Sequence, residues 1–390
     1  MSNSHITIDA PRSLFATVAF SAVAIIIFNA LPVILGVASD TLGLTAEQMG
    51  LLASVELGAI GLTSISGLYW IRRVPWRPAV LFGTLALAAG NILSIFATDP
   101  SALIAVRLFT GLLGEGVIFT VAIAAIGDAR NPDRAFALSI VGQVGLGMLA
   151  LWCFPHIAVA LGFAGVMGAM GFMALACLVF LPWLPAGGVK AVQADDSPDQ
   201  GAGSVLTTII GLSAMVCWFV GLSGIWAFVE RIGIEVPLAQ TSIGMLLSLG
   251  LGLGAVASLL VALVGDRYGR YWPPLATLAL HVLICFLFAG KLTAVAYGAM
   301  VLAFTFIWNI GLPYLLGLIA DSDSGGRLVV LIVSAQAFGN TLGPLIAGQV
   351  VELEGLVSVG ISSGLFCVLA LIIFTVFIQR ARNSLEQRAV

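Results

Sequence analysis

The sequence predicts an all-α polytopic membrane protein of twelve transmembrane helices, built as two pseudo-symmetric six-helix bundles. Three observations lead there. Apolar residues are 60% of the 390-residue chain and charged residues 9%, against roughly 45–50% and about 25% in soluble domains. Mean hydropathy is +1.11, and no soluble core hides that much apolar surface, so lipid must be the solvent. Apolar runs of about 20 residues, enough to cross ~30 Å of hydrocarbon, recur along the chain. Finally, the chain repeats itself. Ala-Ile-Gly-Asp128 and Leu-Ile-Ala-Asp321 each close an apolar run, and an arginine and a glutamine follow at equal offsets: Arg134 and Gln143, Arg327 and Gln336. The shift is 193 residues in each case (128 to 321, 134 to 327, 143 to 336), close to half the chain. A weaker echo joins 44–50 to 238–244. A repeat on this scale decides the architecture.

The elements follow in order. Residues 1–13 are polar and read as a cytoplasmic tail. The first apolar run, 14–38, is longer than the roughly 7–15-residue core of a signal peptide. Asn29 and Pro32 interrupt it, and an uncleaved spanning helix is expected. Further spans are expected near 50–71, 78–98, 102–127, 135–157 and 164–184. After Pro185 the texture turns polar, with Gly-Gly, Asp195-Asp196-Ser-Pro-Asp199 and Gly-Ala-Gly, as a linker does. Six more spans follow near 204–229, 240–264, 272–290, 294–320, 328–351 and 356–378. The domain reading is an N-terminal bundle over 1–184, a cytoplasmic linker over 185–203 and a C-terminal bundle over 204–390.

Charge sets the orientation. With the N-terminus inside, all but three of the 16 Lys and Arg fall on the cytoplasmic side, the exceptions being Arg107, Arg231 and Lys291. That bias places both termini in the cytoplasm of a multi-pass plasma (cell inner) membrane protein. The alternating pattern of a membrane barrel is absent. A net charge of −3 without a basic patch gives no reason to expect nucleic acid. The five cysteines lie in apolar runs without metal-ligand spacing, so neither a metal nor a disulfide is expected.

Charges inside the spans are few. Glu56 and Arg107 enter from the outer side to a depth of roughly 8–9 Å, and Glu115 lies about 12 Å further in, near the midplane. An ionisable group at that depth is a functional candidate, because lipid penalises charge. A structural ion pair between Glu56 and Arg107 would leave Glu115 as the unpaired carboxylate, either taking up and releasing a proton or serving as a satisfied polar packing residue. At 100° per residue, Gly111 and Gly114 share the Arg107 face of the helix and Glu115 stands about 80° aside. Those glycines read as close packing. Glu230 and Arg231 end the seventh span, either as an outer gate or as two solvated residues.

Prolines mark a second kind of position. Pro313 removes the helical partner of the Asn309 carbonyl, Pro344 that of Asn340, and Pro32 that of Phe28 beside Asn29. Interrupted helices in corresponding halves point to a transporter binding site; a plain kink is the alternative. Gln143 and Gln336 recur at equivalent positions, either facing a cavity or acting as interhelical glue. Trp226, Trp308 and Tyr314 lie near these polar positions and offer stacking surfaces. His281, Asn91 and His156 read as structural or interfacial.

Several motifs carry a family resemblance. Gly265-Asp266-Arg267-Tyr268-Gly269-Arg270, between spans eight and nine, resembles the cytoplasmic loop signature of the major facilitator superfamily. The equivalent loop, Arg72-Arg73-Val74-Pro75-Trp76-Arg77, lacks the aspartate and both glycines. Arg107-Leu-Phe-Thr-Gly111-Leu-Leu-Gly114-Glu-Gly116 resembles the family pattern in helix four. Gly339-Asn-Thr-Leu-Gly343-Pro344 resembles the Gly-Pro signature that proton-antiporting drug exporters carry in helix five, but here it lies in helix eleven.

The resemblance implies two bundles related by an axis along the membrane normal, with helices 1, 4, 7 and 10 lining a central cavity that opens to each side in turn. It implies charge pairs at a cytoplasmic gate, with Asp128, Arg134, Asp266, Arg267, Arg270, Asp321 and Arg327 as candidates. The expected function is secondary active transport of a small organic solute, proton-coupled through Glu115 or Glu56, with an organic anion drawn by Arg107 as one substrate class. A multidrug/proton antiporter is the alternative. A non-transporting receptor or scaffold would need a signalling domain, and an enzyme would need a catalytic cluster that the sequence does not offer. No cofactor is expected. The expected partners are the lipid bilayer, a small-molecule substrate and protons, and the expected state is a monomer.

Overall fold

A computed structural model describes residues 8–188, 202–322 and 331–389. All the regular structure among them is helical, and each expected span falls on a helix. Among the described residues, eight helices are long and apolar enough to cross a membrane, with Leu31–Leu42 and Trp272–Phe288 as shorter apolar helices. The chain divides into two compact units, Met1–Gln193 and Ala194–Val390. Residues 189–201 of the expected linker lie outside the described residues. Of the remainder, Ala186 accepts a hydrogen bond from the Trp76 N–H at 2.9 Å, and Leu184, just before the linker, accepts one from Arg77 Nε at 2.7 Å.

In the first unit the opening span is three helices, α1 (Pro11–Ala24), α2 (Ile26–Asn29) and α3 (Leu31–Leu42). The breaks fall at Ile25 and at Ala30, the second just ahead of Pro32, which sits in the first turn of α3, where its missing N–H costs least. Gly43 closes α3 with φ 64°, a conformation that glycine adopts without steric cost. Then α4 (Ala46–Trp70) starts on a capping box: Thr45 Oγ1 accepts from the Gln48 N–H, and Gln48 Oε1 accepts from the Thr45 N–H. Next come α5 (Trp76–Ile95) and α6 (Pro100–Phe109). Asp99 caps α6, and the Ser101 hydroxyl and Ala102 N–H hold its carboxyl below the usual carboxylate range.

Thr110–Glu115 is a π turn, after which α7 (Gly116–Gly127) resumes regular winding. The last helix of the unit, α8 (Pro132–Cys177), ends in a 3₁₀ segment, Leu178–Trp183, and breaks at Gly162, where φ is 64° and ψ −159°. That break separates the two expected spans 135–157 and 164–184. Phe20, Val80, Leu87, Ile118 and Val121 form the buried core of the unit. Burying side chains of this size matters less for energy in lipid than in water, so close packing carries much of the association.

The second unit holds α9 (Ala202–Glu235), α10 (Gln240–Val264), α11 (Trp272–Phe288), α12 (Ala294–Ser322), α13 (Leu331–Glu354) and α14 (Val357–Ala389). Its pairing repeats the first. α9 packs on α13 as α1 does on α8, α10 and α11 pack on α12 as α4 and α5 do on the α6–α7 rod, and α11 packs on α14 as α5 does on α8. Close approach is built in at Gly339 and Gly343, which bring α13 against Phe219 and Ser223 of α9. Ser223 Oγ donates to the Gly339 carbonyl at 3.1 Å.

Candidate functional site

The buried charges meet in the first unit. Glu56 on α4, Arg107 on α6 and Glu115 at the end of the π turn are 2%, 3% and 0% exposed. Arg107 Nη2 donates to Glu56 Oε1 and, at 3.1 Å, to Glu115 Oε1. Its Nη1 donates to Asn91 Oδ1 on α5 at 2.7 Å. One guanidinium is thus shared by two carboxylates and an amide.

This corrects the expectation that Glu115 stands unpaired. The reason is the π turn. A wide turn takes in about one extra residue, which turns Glu115 back by roughly 100° and cancels its ~80° offset from Arg107. Two glycines allow the rod to lie this close to its neighbours. A methyl group on Gly111 would stand 2.7 Å from the Glu56 carbonyl oxygen, and one on Gly114 would stand 2.8 Å from the Leu87 backbone nitrogen.

Asn91, structural or interfacial by its sequence, completes the cluster. Its signal is an amide in the middle of an apolar span, because a buried amide needs a partner. Glu115 Oε2 and Asn91 Nδ2 remain buried without a hydrogen-bond partner among the described residues. The cluster holds one positive and up to two negative charges, so it has room for one proton.

Gln143 joins a polar seam of the same unit. Its Nε2 donates to Ser139 Oγ at 3.0 Å and to Ser21 Oγ at 3.5 Å, while its carbonyl accepts from Asn29 Nδ2 at 2.9 Å. The half-buried Gln336 occupies the equivalent place on α13. At the shift of 193, Ser139 and Ser21 become Ile332 and Ala214, so the hydroxyl partners of the first unit are not repeated.

In the second unit, the Asn309 carbonyl left without a helical partner by Pro313 faces Ser258 Oγ of α10 at 3.5 Å, and Asn309 Nδ2 donates to the Thr305 carbonyl at 2.9 Å. Asn340 Oδ1 is buried without a hydrogen-bond partner among the described residues. Trp308 packs edge-on against Phe219 and Phe304, with ring centroids 5.8 and 5.7 Å away. Trp226 is buried on α9. His281 is enclosed by Trp218 and Phe304, accepting from Trp218 Nε1 at Nδ1 (3.4 Å), with Nε2 3.3 Å from the Phe304 carbonyl. Tyr314, inside the C-terminal part of α12, donates its hydroxyl to the Gly265 carbonyl at 2.8 Å.

The charged ends form local ties. Glu230 is 1% exposed and receives Arg231 Nε at 2.6 Å and Nη2 at 3.0 Å. Arg72 of the α4–α5 turn grips Asp128 with two hydrogen bonds, 2.6 and 2.9 Å long. The first-half loop therefore has a carboxylate partner after all, supplied from the end of α7. Arg134 is exposed, and its N–H donates to the capping Asn131 Oδ1. Arg267 and Arg270 lie exposed beside the Gly265 turn. The side chains of Asp266 and Asp321, and the whole of Arg327, lie outside the described residues.

Known proteins give the same architecture. The Major Facilitator Superfamily model matches residues 14–324. A peptide transporter, POT, crystallised with sulfate, superposes with TM-score 0.76 at 14% identity, covering 96% of this chain and 95% of its own. A mutant of the nucleoside transporter NupG gives 0.73 at 14% identity, covering 94% and 99%. A bacterial homologue of the human lysosomal transporter Spinster, inward-facing and occupied, gives 0.70 at 13% identity, covering 96% and 97%. No curated protein matches the chain.

Proposed function

The chain belongs to the major facilitator superfamily, and from that premise we propose that it is a proton-coupled secondary transporter of a small organic solute, working by alternating access. The observation that carries the reading is the sharing of Arg107 by Glu56 and Glu115 in a buried setting. With both carboxylates ionised, the cluster carries a net negative charge out of water, which costs several kcal/mol. One proton on either carboxyl neutralises it. Two like-charged carboxyls this close favour a single shared proton. A rearrangement that parts Arg107 from one of them changes the affinity for that proton, and this is what couples proton movement to a conformational cycle.

The same geometry argues against Arg107 as an anion receptor, because its guanidinium already serves Glu56, Glu115 and Asn91. A second reading, export of a cationic compound in exchange for protons, draws on the same surplus of carboxylate. In that case a substrate cation and the proton compete for one negative charge.

The test starts with a thermal-shift screen of purified protein against organic acids, nucleosides, peptides and cationic drugs at acid and alkaline pH. A ligand specific to the folded state stabilises by mass action. A hit is then followed in proteoliposomes with an imposed pH gradient. Accumulation that follows the gradient and collapses with a protonophore supports the proposal. Accumulation indifferent to the gradient contradicts it.

A further inference from the structure

Away from the buried cluster, the second unit carries a groove of about 300 Å³ where the turn before α11 meets the far part of α14. Arg270, Tyr271 and Trp272 form one wall, and Thr375, Ile378 and Arg382 the other. Arg270 and Arg382 are exposed. The Arg382 guanidinium sits 5.8 Å over the Tyr271 ring, a cation–π contact that restrains where the charge points. Trp272 is 75% exposed at the first position of its helix. Two arginines and an exposed tryptophan at the end of two spanning helices match the chemistry of the headgroup layer.

We propose that this groove binds the headgroup of an anionic phospholipid. Arg270 and Arg382 hold the phosphate, for which a guanidinium offers two parallel donors. Leu275, half-buried in the lining of the same groove, lies along the start of an acyl chain, and the Trp272 indole sits at the level of the glycerol. Charge complementarity selects the occupant: a zwitterionic phosphatidylcholine carries its own cation, which the two arginines repel. A free phosphate shares the anionic chemistry but gains nothing from Leu275 or Trp272.

The experiment is native mass spectrometry of the full-length protein, eluted from detergent with graded phosphatidylglycerol or phosphatidylcholine. The comparison includes the double variant Arg270→Gln/Arg382→Gln and the charge-keeping Arg270→Lys/Arg382→Lys. Each basic residue near an anionic surface is worth about fivefold in affinity, so the glutamine variant should retain phosphatidylglycerol roughly twenty-five-fold less well. The lysine variant should keep most of the affinity, which guards against a folding defect in the glutamine variant. Excess inorganic phosphate should not displace the lipid. Equal retention of the two lipids by the wild type, equal retention by wild type and glutamine variant, or displacement by phosphate alone would overturn the assignment.

Discussion

Arg107 is the residue on which the account turns. Arg107→Ala would leave Glu56 and Glu115 facing each other without a cation, and breaking a buried pair in this way costs about 3–5 kcal/mol. A large loss of thermal stability and of folded yield is expected. The two carboxylates should behave more mildly. Because both reach the same guanidinium nitrogen, replacing either with glutamine leaves a neutral one-to-one pair that needs no proton. Glu115→Gln and Glu56→Gln should therefore both bind substrate and exchange it across the membrane, yet lose accumulation driven by a pH gradient. Counterflow and gradient-driven uptake, measured side by side, check this. The sequence alone assigns Glu56→Gln a different fate: an unpaired Arg107 that damages stability or binding rather than coupling alone. Shared pairing removes that distinction. Arg107, Glu56 and Glu115 are conspicuous in the sequence because charges are scarce inside spans, whereas Asn91 and the shared geometry are not. An amide within an apolar run gives no direction, and the partner sits on another helix.

At the scale of elements, the π turn decides the site. Thr110–Glu115 contains Gly111 and Gly114, both poor helix formers, so widening the turn disturbs little. Pattern reading assumes 100° per residue and places Glu115 on the wrong face, an error that no hydrophobic periodicity signals. Packing then holds the turn. Gly111→Ala should push the rod off α4, because the new methyl meets the Glu56 carbonyl oxygen. Overpacking of this sort costs about 1–3 kcal/mol. A lowered melting temperature together with weakened proton coupling is the expected result; a silent substitution would mean that α4 yields. Other breaks were easier to read. Pro32 announces the division of the first span, and the expected boundary near 157–164 brackets Gly162. Tyr314 shows the converse. Its position near Pro313 points to a stacking surface, while its hydroxyl donates to the Gly265 carbonyl, a tie that the sequence does not announce.

At the scale of the whole molecule, composition and the repeat made the membrane class and the duplicated helix pairing legible. They did not reveal how far the duplication extends into chemistry. Glu56, Arg107 and Glu115 map at the shift of 193 to Leu249, Met300 and Trp308, so the charge cluster belongs to one unit alone. In the proposal the first unit handles the proton, while the second supplies aromatic and amide surfaces such as Trp308 and Asn340. The positive-inside bias further predicts that Ser197, in the polar connection, faces the cytoplasm. A cysteine placed there should resist an impermeant thiol reagent in intact cells and react after permeabilisation. Ready labelling from outside would invert the topology. The claim at the centre is that one proton resides on the Glu56–Arg107–Glu115 cluster, and it can be tested without knowing the substrate. Infrared difference spectroscopy of the protein in lipid, titrated through neutral pH, reads the carbonyl stretch of a protonated carboxylic acid directly. One buried protonated-carboxyl band is expected in the wild type, absent from both Glu115→Gln and Glu56→Gln. A band that persists unchanged in both variants would put the proton elsewhere, and no band in the wild type at any pH would contradict the claim.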